Sequence, residues 1–187
     1  MNINKIVELI LSLLTYHTTA SKSSSKSQPS PFSPTVEEPK LKLEKGYYIW
    51  NKGYVYPLSD HFSTAEFDCN CSYPECKEQK ISKILVNKLE LIRIEIKQPL
   101  GVSSAFRCAK KQQDLRDAAA KGEGDLTVVA SKTSTHELGD AVDIYPKDRK
   151  NVRTDFLKLC ASHFDSIGLS DRFLHVDQRK GHRRWNY

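Results

Sequence analysis

Ser134-Thr135-His136-Glu137-Leu138-Gly139-Asp140-Ala141-Val142-Asp143 sets a histidine ahead of an aspartate that stands inside an apolar run, Ala141 to Tyr145. An ionised carboxylate among apolar side chains is costly unless its charge is paired, so a cation is expected against Asp143. Histidine and aspartate are both ligands of first-row metals. Gly139 lets the backbone turn between loop and strand, so that His136 can fold back towards the carboxylate. For an isolated histidine and aspartate, a capped turn with a hydrogen-bonded carboxylate is the plainer reading.

Downstream, Arg172 to Asp177 reads as a strand. Its alternation puts His175 and Asp177 on one face and turns Leu174 and Val176 into the core. A lone histidine on such a strand reads first as a core or surface polar residue; beside His136 and Asp143 it is a candidate third ligand. Three protein ligands leave the fourth tetrahedral position to water, the arrangement of catalytic zinc. Such a centre lowers the pKa of water towards about 7 and polarises a carbonyl. A general base and a donor for the oxyanion are still required.

Upstream, Ile81, Ile84, Leu85, Leu89, Ile92 and Ile96 recur at helical spacing and predict an amphipathic helix that Pro99 ends. Leu100 to Arg107 reads as a strand, and residues 109 to 120 as a helix closed by Gly122 and Gly124. Val152 to Phe164 is a further helix, and Leu41 to Tyr56, with Gly46 and Gly53, a short hairpin. Helices and short strands alternate irregularly. That pattern predicts a small α+β domain, a short antiparallel sheet flanked by helices.

The 187 residues suit one domain with an appended tail. Residues 1 to 20 carry Lys5, an apolar run from Ile6 to Leu14 interrupted by Glu8, and small residues to Ala20. They read either as a signal peptide or as an amphipathic helix. Residues 21 to 39, rich in Ser, Pro and Lys, read as a disordered linker, which leaves residues 40 to 187 for the domain. No stable membrane span is expected.

The net charge of +6 favours an anionic partner. The basic residues are scattered except for Arg179, Lys180, Arg183 and Arg184, so nucleic acid is not the expected one. Five cysteines allow three readings: two disulfides and a free thiol, a structural zinc site built from Cys69, Cys71, Cys76 and Cys108, or buried free thiols.

The histidine and aspartate are not isolated. Ser134, His136, Gly139, Ala141 and Asp143 match the SxHxxGxAxD signature at every fixed position, and the chain resembles the zinc D-alanyl-D-alanine carboxypeptidase family, which includes murein endopeptidases and phage endolysins. The resemblance continues through His61-Phe62-Ser63, Glu66-Phe67-Asp68-Cys69, Val102 to Cys108 and Phe173-Leu174-His175-Val176-Asp177, and leaves the first 57 residues uncovered. It implies a hedgehog/D,D-peptidase-like fold with one catalytic zinc on His136, Asp143 and His175.

By the same resemblance Arg107 serves substrate and oxyanion, although Ala105 and Phe106 replace the family's glycine and tyrosine beside it. Ser134 and Trp185 are expected on the substrate side, Trp185 within a basic closing segment whose plain alternative is a solvated tail. Where relatives carry a base before the last ligand, this chain has Arg172 and Phe173. Asp177 is therefore the first candidate for the base, and Asp171 the second if the strand is regular. A competing register makes Asp177 the ligand and His175 the base. Asp177 could also simply orient a ligand histidine.

The implied activity is hydrolysis of peptide bonds involving D-amino acids in peptidoglycan, as carboxypeptidase or endopeptidase, by a monomer acting beyond the cytoplasmic membrane. The alternative is a wall-binding or virion/envelope module that retains its zinc site.

Overall fold

The computed structural model describes residues 40–123, 134–147 and 153–187. The leader or helix expected over 1–20, the linker over 21–39 and most of the stretch from Gly122 to Thr133 lie outside them.

The first layer is a three-stranded antiparallel sheet, β1 (Lys42–Glu44), β2 (Tyr47–Asn51) and β3 (Glu78–Ser82). Lys45 and Gly46, both at positive φ, form the two-residue turn that matches strand twist in a hairpin. Ser82 then ends β3 and caps α1 (Lys83–Ile96), accepting from the backbone N–H of Leu85 at 3.4 Å. Lys97 closes the helix in the left-handed region, two residues before Pro99.

Helix α1 buries Leu85, Val86, Leu89 and Ile92, while Ile84 is 60% exposed. The predicted apolar set thus needs correction at its start. The helix begins at Lys83, so Ile81 is buried from β3 instead, and Ile84 lies off the stripe that Leu85, Leu89 and Ile92 define.

The second sheet has five strands: β4 (Leu100–Ser104), β5 (Ala141–Pro146), β6 (Ser166–Leu169), β7 (Leu174–Asp177) and β8 (Arg183–Asn186), in the order β4-β5-β7-β6-β8. All its pairs are antiparallel except β6 with β8, which is parallel. Helix α2 (Ala109–Ala120) follows β4, a single turn α3 (Thr135–Leu138) precedes β5, and α4 (Arg153–His163) packs on α1. Trp50, Phe67, Leu89, Ile144, Phe164 and Ile167 belong to one continuous core.

The domain is mixed α and β, with two sheets where one was expected. The basic stretch Arg183–Asn186, read as a closing segment or a solvated tail, is an edge strand. Among the described residues no helix is long and apolar enough to cross a membrane.

Candidate metal centre

The turn that carries His136 is held from three sides. The Glu137 N–H donates to the Ser134 carbonyl at 3.0 Å, and the Glu137 carboxylate accepts from Arg116 of α2 at 3.0 Å. Ser134 is the residue that starts this turn, and its N–H reaches Glu137 Oε2 at 3.4 Å. Gly139 ends it at a φ of 75°, and a Cβ there would lie 2.7 Å from the Lys80 carbonyl oxygen of β3. Glycine is needed both for the left-handed backbone and for the close approach. From β2, Tyr47 donates its hydroxyl to Asp140 at 2.9 Å, so the first sheet braces the turn from below.

Asp143 and His175 are directly opposed cross-strand partners on β5 and β7. With His136 they form a buried triangle: His175 Nδ1 to Asp143 Oδ1 is 2.9 Å, His136 Nε2 to His175 Nδ1 is 3.1 Å, and His136 Nε2 to Asp143 Oδ1 is 3.4 Å. A zinc ion about 2.0–2.1 Å from each ligand atom spans a tetrahedral edge of about 3.3–3.4 Å, close to these sides.

The outer nitrogens settle which atoms point inward. His136 Nδ1 lies 2.7 Å from the Ala105 carbonyl, which can only accept, so Nδ1 carries the proton and Nε2 presents its lone pair. His175 Nε2 donates to Asp177 Oδ2 at 3.1 Å, and its Nδ1 likewise turns inward. Two lone pairs and a carboxylate oxygen facing one another repel unless a proton or a metal ion lies among them. The donor set therefore fits a metal ion.

The electrostatics call for positive charge inside the triangle, carried either by a proton on His175 or by a metal ion. Burial pushes His136 down from its ordinary pKa. Burial would do the same to His175, but hydrogen bonds to Asp143 and Asp177 overcome it and raise that pKa. Asp143 is pushed up by burial, yet the two imidazoles hold its carboxyl far below the usual range.

Arg107 stands at the rim. Its Nη2 donates to Asp143 Oδ2 at 2.7 Å and its Nε to Ser104 Oγ at 2.9 Å. A bulge between Val102 and Ser104 shifts the register of β4 so that Ser104 sits opposite Asp143. Bulges re-aim side chains in this way beside functional sites.

Trp185 stands against His175, with the ring centroids 5.4 Å apart. Gly168 makes this possible. It pairs with His175 on one side and with Trp185 on the other, and a Cβ there would lie 2.5 Å from the indole. Tyr187 adds a third ring, 6.3 Å from His175 and 6.1 Å from Trp185. Sequence reasoning missed it. The Trp-x-Tyr spacing, which is the strand period, was the available signal.

The two candidate bases are placed differently. Asp177 is buried behind His175, where it also accepts from Ser166 Oγ at 2.9 Å, from the Arg179 N–H at 2.8 Å and from Arg179 Nη2 at 2.6 Å. Burial pushes its carboxyl up, but His175 and Arg179 hold it well below the ordinary range. Asp171 is exposed in a bend before β7, which starts only at Leu174, so regular alternation does not carry it to the face of His175. It borders a surface depression with Leu157, Leu169 and Leu174.

Comparison of the chain with family models, with curated proteins and with solved structures gives no match.

Proposed function

We propose that this chain is a zinc metallopeptidase that hydrolyses peptide bonds involving D-amino acids in peptidoglycan, with His136, Asp143 and His175 as the ligands. The observation that carries the reading is the triangle of inward-facing acceptors, whose sides of 2.9, 3.1 and 3.4 Å suit a tetrahedral ion. The choice of substrate rests on the SxHxxGxAxD signature in which two of those ligands stand. The five-stranded sheet with its site at β5 and β7 is compatible with a hedgehog/D,D-peptidase-like fold, which belongs to the same proposal.

Bound there, zinc would supply a Lewis acid and an acidified water. The chain's own groups do the rest. Asp177 holds His175 in the tautomer that points Nδ1 inward, and the Ala105 carbonyl does the same for His136. Arg107 offers a fixed cation at the rim, placed to meet a substrate carboxylate or a developing oxyanion. Trp185 and Tyr187 stand against His175 and bound the site there.

One observation favours the second reading, a wall-binding or virion/envelope module that retains its zinc. Asp177 is fully engaged behind His175, and Asp171 is exposed at a bend before β7. Digestion of purified peptidoglycan with and without chelator, followed by mass analysis of the products, decides between the two. Chelator-sensitive release of peptides supports the hydrolase; binding to the wall without any released peptide supports the module.

A further inference from the structure

Cys69, Cys71, Cys76 and Cys108 converge beside the N-terminus of α2, away from the histidine triangle. Their sulfurs all lie within 4.8 Å of one another, and Cys71 Sγ is 3.7 Å from Cys108 Sγ. Four thiolates about 2.3 Å from zinc have tetrahedral edges of about 3.8 Å. No pair among them is bonded, and all are free cysteines.

Each sulfur is met by at least one nitrogen donor. The Cys108 N–H points at Cys69 Sγ at 3.4 Å, and the Lys111 N–H at Cys108 Sγ at 3.5 Å. Gln79 Nε2 reaches Cys76 Sγ at 3.3 Å, and the Lys52 ammonium reaches Cys71 Sγ at 3.3 Å. Gln79 is wholly buried in β3, and its Oε1 also accepts the Cys69 N–H at 2.8 Å. A buried glutamine is costly unless its amide is satisfied, and here it spans two of the four cysteines. Four donors aimed at four sulfurs provide what negatively charged thiolates require around a cation.

We propose that Cys69, Cys71, Cys76 and Cys108 hold one zinc ion as a closed structural site, separate from the histidine centre. Four protein ligands leave no position for water, so the ion's role is to tie the loop from Cys69 to Cys76 to Cys108, the residue that caps α2. Cys108 follows Arg107 directly, and the knot therefore fixes the segment from which that arginine reaches Asp143. Cys160, the fifth cysteine, lies on α4, is buried in the core and takes no part.

The test uses the full chain purified under reducing conditions. Titration with an organomercurial, with a chromogenic chelator to report released metal, should free one equivalent of zinc as the four thiols react. A His136→Ala/His175→Ala variant should keep that equivalent. This distinguishes failure here from failure of the peptidase reading, which concerns the other ion. A Cys71→Ser/Cys108→Ser variant should lose it and melt at a lower temperature; should that variant not fold, the titration of the unaltered chain still decides. Cobalt replacement should give the intense thiolate-to-metal charge-transfer band of a sulfur-only site. Mercurial reaction without zinc release, or iron in place of zinc, would overturn the proposal.

Discussion

Arg107 Nη2 lies 2.7 Å from Asp143 Oδ2, the carboxylate oxygen that the two histidines do not face. Asp143 is thereby divided, with one oxygen for the triangle and one for the guanidinium. The division keeps the carboxylate from presenting both oxygens to an ion, and it anchors a cation at the rim.

Arg107→Ala should therefore retain zinc while losing turnover on the order of 10²-fold, the usual scale for removing one preorganised donor. Arg107→Lys should recover little of it, because an ammonium cannot bridge Ser104 and Asp143 as the guanidinium does. Elemental analysis alongside product release from peptidoglycan measures both quantities. Equal loss of zinc and rate would show that Arg107 acts only by holding Asp143.

Asp177→Asn separates positioning from proton transfer. If the carboxylate serves to orient His175, zinc affinity should fall about 10–100-fold while the fold persists, and saturating zinc should restore the rate. A rate that stays low at saturating zinc would return Asp177 to the role of base.

Gly168→Ala puts a Cβ where the Trp185 indole now lies, 2.5 Å away. The indole must leave the wall, at a cost of about 1–3 kcal/mol typical of overpacking. Chemical denaturation should show that loss, and zinc content should not change, since no ligand is moved. Loss of zinc would mean that the aromatic wall also holds His175 in place.

Glu90 of α1 clamps the preceding loop, accepting from Ser59 Oγ at 2.7 Å and from the His61 N–H at 3.3 Å, with His61 Nδ1 against its other oxygen. Burial pushes its pKa up, but these partners bring the net shift below the ordinary value. A depressed folded pKa means stability that is fully present above the unfolded value near ~4.3 and lost as the pH falls through the folded one. Glu90→Gln should cost about 1–2 kcal/mol at neutral pH, with the difference closing as the pH falls through the folded pKa. Urea melts across that range check it; a difference independent of pH would assign the clamp to hydrogen bonding alone.

The three residues of the triangle were readable, two of them because the information is local. His136, Gly139 and Asp143 lie within one turn and one strand, while alternation put both His175 and Asp177 on one face and the choice of His175 rested on the family resemblance. The roles of Asp177 and Asp171 were not readable. Which way Asp177 spends its oxygens depends on Ser166 of a neighbouring strand and on Arg179 beyond the next bend. For Asp171 the question was where β7 begins, and strand ends carry little sequence signal. Strands β3, β6 and β8 escaped for a related reason: Glu78-Gln79-Lys80-Ile81-Ser82 and Arg183-Arg184-Trp185-Asn186 are strands because of their neighbours, and β propensity is mostly a statement about neighbours. The odd cysteine count left three readings open, and only the fold brings Cys108 to the other three.

Because Asp143 and His175 oppose one another across β5 and β7, only one alignment of those strands brings both side chains to the same spot. A slip of one residue would turn either side chain to the other face of the sheet. An ion that needs both would bind one alignment and reject the rest, so its arrival during folding would act as a proofreading step for the central strand pair. Refolding with zinc present should then suppress misaligned, aggregation-prone species that the chain can reach without it.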